Sequence, residues 1–138
     1  MVPMTPHYAI DTSIFVRMVT EEPKALADAV FDKLESLIQG GSQIWISSMA
    51  IGESYIAIQH HYGTPKTDIR DVMLDIFEKG WVIPLGGHPV LKALKTTTGP
   101  GLLDRLIAVE GQSHGLKTLT LDRKMWSLAD CERLEIVT

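Results

Sequence analysis

Two short apolar runs in this chain each end at an aspartate. The first run, at 8–10, precedes Asp11, and the second, at 119–121, precedes Asp122. Both runs are typical of β-strands, and the carboxyl ends of parallel strands face the crevice in which α/β proteins bind ligands. An acid placed at such an end is available for metal or substrate chemistry. The two strand ends are therefore the first candidates for a functional site.

Two further acids lie on apolar faces of predicted helices. Glu53 has Met49 and Ile56 among its helical neighbours, and no Lys or Arg occurs between 43 and 63 to pair with it. Asp104 falls in the first turn of its helix, where the helix dipole favours a negative charge. A carboxylate on an apolar stripe needs a partner, and a bound cation is one candidate.

Each of the four acids also has a purely structural explanation. Asp11 is a good helix N-cap, Asp122 can open a turn, Asp104 suits the helix dipole, and Glu53 can pair with a distant arginine. Their convergence would be the informative feature, because four carboxylates aimed at one crevice repel each other unless cations lie between them. Oxygen donors without His or Cys suit a hard cation such as Mg²⁺ or Mn²⁺.

The composition excludes several classes of protein. A hydrophobic fraction of 45% with 22% charged residues is typical of a globular domain, and the formal net charge of −4 argues against coating nucleic acid by bulk positive charge. Nucleic acid as a substrate would then require a local basic patch or metal ions in an acidic pocket. The five histidines show no HExxH spacing, which makes zinc an unfavoured metal.

The only cysteine is Cys131, so no disulfide can form within the chain. This usage indicates a reducing, intracellular compartment. The first seven residues lack the pattern of a signal peptide, and no window approaches the length of a membrane span. We therefore expect a soluble, cytoplasmic protein.

The predicted elements alternate between strands and helices. Helices are expected to begin near 11, 23, 48, 65, 88 and 102, and strands are expected at 8–10, 44–46, 81–84, 116–121 and 134–137. Strands separated by helices of this length favour a mostly parallel sheet of four to five strands, covered on both faces. The sequence predicts one α/β domain over 1–138, a three-layer α/β/α structure, with Asp11 and Asp122 at one edge of the sheet.

With these acids in order, the chain resembles the PIN-domain ribonucleases, and especially the VapC-like toxins of toxin–antitoxin modules. Residues 10–13 are similar to the first acidic motif of that family, and residues 48–53 are similar to its helix-borne glutamate. Residues 103–108 resemble its Asp-x-x-Ile-Ala motif, and residues 120–122 resemble its Thr-x-Asp motif. The resemblance covers nearly the whole chain.

The resemblance implies an endoribonuclease that depends on Mg²⁺ or Mn²⁺. It implies that Asp11, Glu53, Asp104 and Asp122 are the catalytic, metal-binding acids, and that nearby hydroxyl groups orient carboxylates, water or phosphate. Those hydroxyls belong to Thr12, Ser13 and Thr120. The resemblance also implies an RNA substrate, a homodimer and an inhibitory antitoxin partner.

Three arginines lie close in sequence to the acids and are candidates for contacts to substrate phosphates, namely Arg17, Arg105 and Arg123. A solvated surface arginine is an equally good explanation of each. Arg105 departs from the small residue that is frequent after the third acid of the family, and it either contacts phosphate or crowds the pocket. Gly52, directly before Glu53, is expected to loosen its helix.

Several other functions fit part of the pattern. A haloacid-dehalogenase-like phosphatase also begins with a strand-end aspartate, but it needs a second aspartate where this chain has Ser13. A response-regulator receiver needs paired acids before the first strand-end aspartate, and none is evident. A housekeeping PIN nuclease in RNA processing, or a catalytically silent PIN-like interaction module, remains an alternative to the toxin.

Overall fold

The computed structural model of the protein describes residues 4–137. Five short strands alternate with six helices and a 3-10 turn. In chain order the elements are β1 (Tyr8–Ile10), α1 (Thr12–Thr20), α2 (Lys24–Gln39), β2 (Ile44–Ile46), α3 (Ser48–His61), α4 (Lys66–Glu78), β3 (Ile83–Pro84), α5 (His88–Lys95), α6 (Leu102–Ser113), β4 (Thr118–Thr120), the 3-10 turn (Met125–Ser127) and β5 (Cys131–Arg133). The predicted domain limits, 1 and 138, lie outside the described residues.

The strands pair in parallel throughout the described part of the chain. β1, β2 and β3 form one hydrogen-bonded sheet with β2 in the centre, and β4 pairs with β5 in a second sheet. The α/β class with parallel strands is thus confirmed. The ladders do not join β1 to β4, so the hydrogen bonding alone does not place the two strand-end aspartates on a common edge.

One large apolar cluster supports the three-stranded sheet. Ile44 and Ile46 of β2 are buried in it and alternate with Trp45, which is half-buried on the opposite face. Helices α1 and α4 meet there through the stacked rings of Phe15 and Phe77, whose centroids are 5.6 Å apart. The helix that begins after Asp11 is therefore anchored in the large apolar cluster.

Local capping explains where the helices begin. The side chains of Asp11 and Ser47 accept hydrogen bonds from the backbone N–H groups three residues later, as expected of N-caps. Pro23 and Pro65, predicted at the first helical position, occupy the N-cap position instead. Their carbonyl oxygens accept the first bonds of α2 and α4.

Two strands begin later than predicted because the first residues predicted for them belong to the closing turns of the preceding helices. The N–H of Trp81 bonds to the carbonyl of Ile76, which keeps Trp81 in the closing turn of α4. The N–H of Leu116 bonds to the carbonyl of Gly111 in the same way after α6. These bonds satisfy the last carbonyls of each helix and delay the strand.

The predicted fifth strand at 134–137 is wrong in position. The strand that pairs with β4 is Cys131–Arg133, and its first residue is buried with Ala108 and Met125 in a small second cluster. Burial of Cys131 sets this register, whereas Ile136 and Val137 are exposed. Burial of the single cysteine therefore determines the position of this strand, and the apolar residues at 134–137 do not.

None of the helices described over residues 4–137 is long and apolar enough to cross a membrane.

Candidate active site

Asp11 follows β1 directly and caps α1. Its Oδ1 atom accepts hydrogen bonds from the hydroxyl of Ser13 at 2.6 Å and from the backbone N–H of Ile14 at 3.3 Å. The Ser13 hydroxyl, followed by the Ile14 N–H, lowers the pKa of Asp11 below its usual 3.8. Asp11 is therefore a charged and exposed carboxylate, oriented by the helix that it starts.

The hydroxyls beside Asp11 differ in their environment. Ser13 is exposed and donates to Asp11, in the orienting role predicted for it. Thr12, the first residue of α1, is half-buried. Because both bonds to Asp11 end on Oδ1, and no bond to Oδ2 occurs within residues 4–137, the second carboxylate oxygen is available to a ligand.

Glu53 lies on the exposed side of α3 and not on a buried stripe. Its neighbours Met49 and Ile56 are 76% and 41% exposed. Together with Leu103 and Ile107 of α6, they line an apolar groove of about 240 Å³ with Glu53 at its side. The carboxylate is thus solvated, and no buried partner is required for it.

Gly52 does not loosen α3, which runs unbroken from Ser48 to His61. The residue is buried where α6 approaches α3. A Cβ atom at Gly52 would lie 3.8 Å from Leu103 Cγ and 3.8 Å from Leu106 Cδ1, which is ordinary van der Waals contact. Gly52 therefore lies in the contact between these two helices, and the expectation that it loosens α3 is wrong.

Asp104 lies in the first turn of α6 and is half-buried. Burial raises the pKa of the Cys131 thiol, and the negative charges of Asp130 and Asp104 raise that pKa further. The charge of Asp104 is thus felt at the start of β5. This places Asp104 beside the small cluster that supports the two-stranded sheet.

Asp122 follows β4 and organises the turn behind it. Its Oδ1 atom accepts the backbone N–H of Lys124 at 2.8 Å, and its own N–H donates to the hydroxyl oxygen of Thr120 at 2.9 Å. The Thr120 hydroxyl also lies 3.6 Å from the sulfur of Met125, which is buried. Thr120 therefore fixes the backbone of Asp122 and leaves the carboxylate exposed.

The four carboxylates do not form a cluster in the described structure. Within residues 4–137, no three side chains of His, Cys, Asp or Glu are grouped so that they could hold a metal ion. The donor chemistry fits a hard cation, because all four predicted ligands are carboxylates. Their assignment to one shared metal site stays a prediction.

Two of the three candidate arginines already have structural partners. Arg17 donates to the carbonyl of Glu22 at 2.9 Å and to the hydroxyl of Tyr62 at 2.8 Å. These bonds tie the end of α1 to the end of α3. Arg123 is exposed and makes no side-chain hydrogen bond within the described residues, which leaves it the freest of the three for a phosphate.

Arg105 turns back towards the loop that precedes its helix. Its Nε atom donates to the carbonyl of Pro100 at 2.9 Å, and Nη2 donates to the carbonyl of Thr98 at 2.7 Å. A charged donor that satisfies two loop carbonyls stabilises the entry into α6. Arg105 thereby helps to position Asp104, the adjacent acid.

Arg133 and Trp126 are not among the site residues predicted from the sequence. The guanidinium carbon of Arg133 lies 4.6 Å from the centroid of the Trp126 ring, a cation–π arrangement. Arg133 is also the register partner of Thr120, at the strand end that carries Asp122. The tryptophan two residues after Lys124 was the available signal, because aromatic residues next to cations are frequent in nucleic-acid sites.

Comparison with known families identifies the family to which this fold belongs. The family model of the PIN domain matches residues 8–130, a segment that contains all four predicted acids. The chain belongs to the PIN-domain family, whose fold is a nuclease fold and whose nucleases generally use divalent metals. No curated protein matches the chain.

Proposed function

We propose that the protein is a Mg²⁺- or Mn²⁺-dependent endoribonuclease and the toxin of a toxin–antitoxin module. The observation that carries this proposal is the match to the PIN domain over 8–130, because the matched segment includes Asp11, Glu53, Asp104 and Asp122. The VapC-like subtype rests on the sequence resemblance. We further propose that the whole chain is one domain and that it acts in the cytoplasm.

The four acids have the properties that metal ligands need. None of them pairs with Lys or Arg within the described residues, so their charges are not already neutralised. Asp11 and Asp122 each hold one oxygen in a local hydrogen bond, which orients the carboxylate without blocking the other oxygen. Such preorganisation is what a metal site gains from its surrounding groups.

When bound, a divalent cation supplies a water of lowered pKa and stabilises charge on the scissile phosphate. The chain itself contributes orientation. Ser13 holds Asp11 through its hydroxyl, Thr120 holds the backbone of Asp122, and Arg105 holds the loop before Asp104. These contacts keep the carboxylates in place while RNA binds.

The deciding experiment incubates purified protein with a structured RNA and Mn²⁺ or Mg²⁺. The parent protein should cleave the RNA, EDTA should abolish cleavage, and Asp11→Asn should cleave far more slowly. Asp32→Asn is the matched control, because Asp32 is an exposed acid on α2 outside the proposed site. Equal cleavage by the parent, Asp11→Asn and EDTA-treated samples would reveal a contaminating nuclease and sink the proposal.

The homodimer is supported by the apolar groove between α3 and α6. Met49 and Ile107 expose 76% and 54% of their surface there, and contiguous exposed apolar side chains mark association sites. We expect Ile107→Glu to halve the molar mass measured by light scattering. Leu26→Glu, an equally exposed apolar position on α2, should leave the mass unchanged.

The toxin role requires a partner that neutralises the nuclease. Expression of the parent protein alone should arrest growth, and co-expression with the product of a neighbouring reading frame should restore it. Growth that continues despite measurable cleavage in vitro would favour the housekeeping nuclease. A folded protein that neither binds a metal nor cleaves RNA would favour the silent interaction module.

A further inference from the structure

Arg133 and Trp126 form an exposed stack at the carboxyl end of the two-stranded sheet, and the proposed function does not use it. We propose that this stack binds a base of single-stranded RNA next to the phosphate that the nuclease attacks. The inference rests on the proposed ribonuclease function, whose substrate it defines more narrowly. It assigns a base-binding subsite to a guanidinium whose central carbon lies over an indole ring, at 4.6 Å from its centroid.

The register of β4 and β5 places the stack beside Asp122. Arg133 pairs with Thr120, and the N–H of Leu134 donates to the Thr120 carbonyl at 3.0 Å. Asp122 comes two residues after Thr120, so its Cα lies within about 8 Å of the Arg133 Cα by ordinary strand spacing. That distance is about one nucleotide step, which suits contact with the base adjacent to a phosphate at Asp122.

The charges around the stack favour a polyanion. Arg123, Lys124 and Arg133 are exposed and form no salt bridge within residues 4–137. Glu132 is paired with Lys117 at 2.8 Å on the opposite face of the strand.

The other acids near the stack are Asp122, directly before Arg123, and Asp130 and Glu135, before and after β5. None of them forms a salt bridge with Arg133 within the described residues. Three exposed cations at the ends of β4 and β5 are therefore available to the phosphates of a polyanion, on a chain whose net charge is −4.

The pairing of Arg133 with Trp126 favours a ligand with a flat ring, such as a base, over a ligand that offers only negative charge. Trp126 is half-buried, with its indole N–H enclosed by the protein, so packing restrains the ring that lies beneath the guanidinium. Arg133 is exposed, so its side chain can be reached from solvent. Arginine planes stack well on unpaired bases, whereas a base inside a duplex has no free face. An acidic peptide would use the charge and not the plane.

The test measures binding in EDTA, where no cleavage interferes. The probes are a fluorescent octamer of riboadenosine and an octamer of abasic ribose with the same phosphates. Arg133→Lys keeps the charge but removes the planar group, so it should weaken binding of the adenosine octamer about tenfold. Binding of the abasic octamer should change less than about twofold, since the phosphates still meet a cation.

Two further variants complete the experiment. Trp126→Leu removes the ring beneath the guanidinium and should also weaken binding of the adenosine octamer selectively. Circular dichroism and thermal unfolding check that this variant folds. Lys33→Gln, an exposed cation on α2, should leave both affinities unchanged. The proposed base-binding subsite is wrong if Arg133→Lys binds the adenosine octamer as tightly as the parent does. It is also wrong if the substitution weakens binding of both octamers equally.

The outcome also separates this inference from the proposed function. Cleavage of RNA by the parent, together with unchanged adenosine binding by Arg133→Lys, would overturn the subsite alone. Selective loss of adenosine binding in a protein that cleaves no RNA would overturn the nuclease and leave the binding site in place.

Discussion

The ends of β1 and β4 carry the same local pattern, an apolar strand followed by an aspartate, but they rest on different supports. After β1 the chain enters a helix whose Phe15 is fully buried in the large cluster. After β4 it enters a turn and a 3-10 turn, and the buried residues there are Ala108, Met125 and Cys131. Leu119 of β4 is 59% exposed, whereas Ile10 of β1 is half-buried against the large cluster.

The rigidity of each strand-end aspartate thus depends on how well the segment that follows it is packed. Regions with few buried apolar contacts open at lower free energy than a well-packed core. Asp11 is therefore expected to hold its position, and Asp122 to adjust more readily when a ligand binds. Four experiments test this contrast.

The largest expected effect comes from replacing either aspartate with asparagine. Asn retains an acceptor oxygen for the N–H of Ile14 or of Lys124, so the local cap and turn survive while the charge is lost. We expect Asp11→Asn and Asp122→Asn each to lower kcat/KM for RNA more than about 100-fold, since a metal ion contributes several kcal/mol to such reactions. Cleavage at the parent rate by Asp122→Asn would restrict Asp122 to its turn.

The two cores should respond unequally to truncation. Ile51 is fully buried in the large cluster, and Ile51→Ala should lower the free energy of unfolding by about 4 kcal/mol. Met125 is 6% exposed in the small cluster, and Met125→Ala should lower the free energy of unfolding by about 2 kcal/mol. The loss is smaller because the few residues around Met125 can relax into the space more easily. Urea unfolding monitored by circular dichroism measures both, and equal losses would remove the contrast.

Removing the Thr120 hydroxyl tests how much its hydrogen bond stabilises the end of β4. Thr120→Val keeps the shape but removes the acceptor for the N–H of Asp122, and it should cost about 1 kcal/mol. Thermal unfolding measures the loss. Thr67→Val on the exposed side of α4 controls for the change of side chain, and a loss as large in that variant would mean that the hydrogen bond is unimportant.

The smallest effect concerns the pKa of Asp11. The hydroxyl of Ser13 is the main cause of its lowered pKa, so Ser13→Ala should move that pKa back towards 3.8. A lowered folded-state pKa stabilises the protein above the unfolded pKa, and this stability disappears as the pH falls through the folded value. Ser13→Ala should therefore lose stability at neutral pH but not at pH values below the folded pKa.

Nuclear magnetic resonance titration of the Asp11 carboxyl carbon measures this shift directly. Ser36→Ala, a serine exposed on α2, should leave the titration unchanged. An unaltered Asp11 pKa in Ser13→Ala would mean that the N–H of Ile14 alone holds the carboxylate. The matching experiment at Asp122 has no hydroxyl donor to remove, which is a further difference between the two corners.

Sequence alone determined the α/β class and the order of the elements, and it offered Asp11 as a helix cap or as a metal ligand. These features depend on local physics: apolar periodicity, proline and glycine at helix boundaries, and a short side chain that reaches the N–H of Ile14. It also identified the four acids that the PIN-domain match encloses.

Tertiary structure decided what depends on distant partners. The apolar residues on both sides of Glu53 suggested a buried stripe, yet Met49 and Ile56 are exposed beside it. Cys131 is buried with Ala108, so β5 begins earlier in the chain than predicted, and its register with β4 places Arg133 opposite Thr120, two residues before Asp122. Register and packing follow from contacts between residues far apart in sequence, which no local pattern encodes.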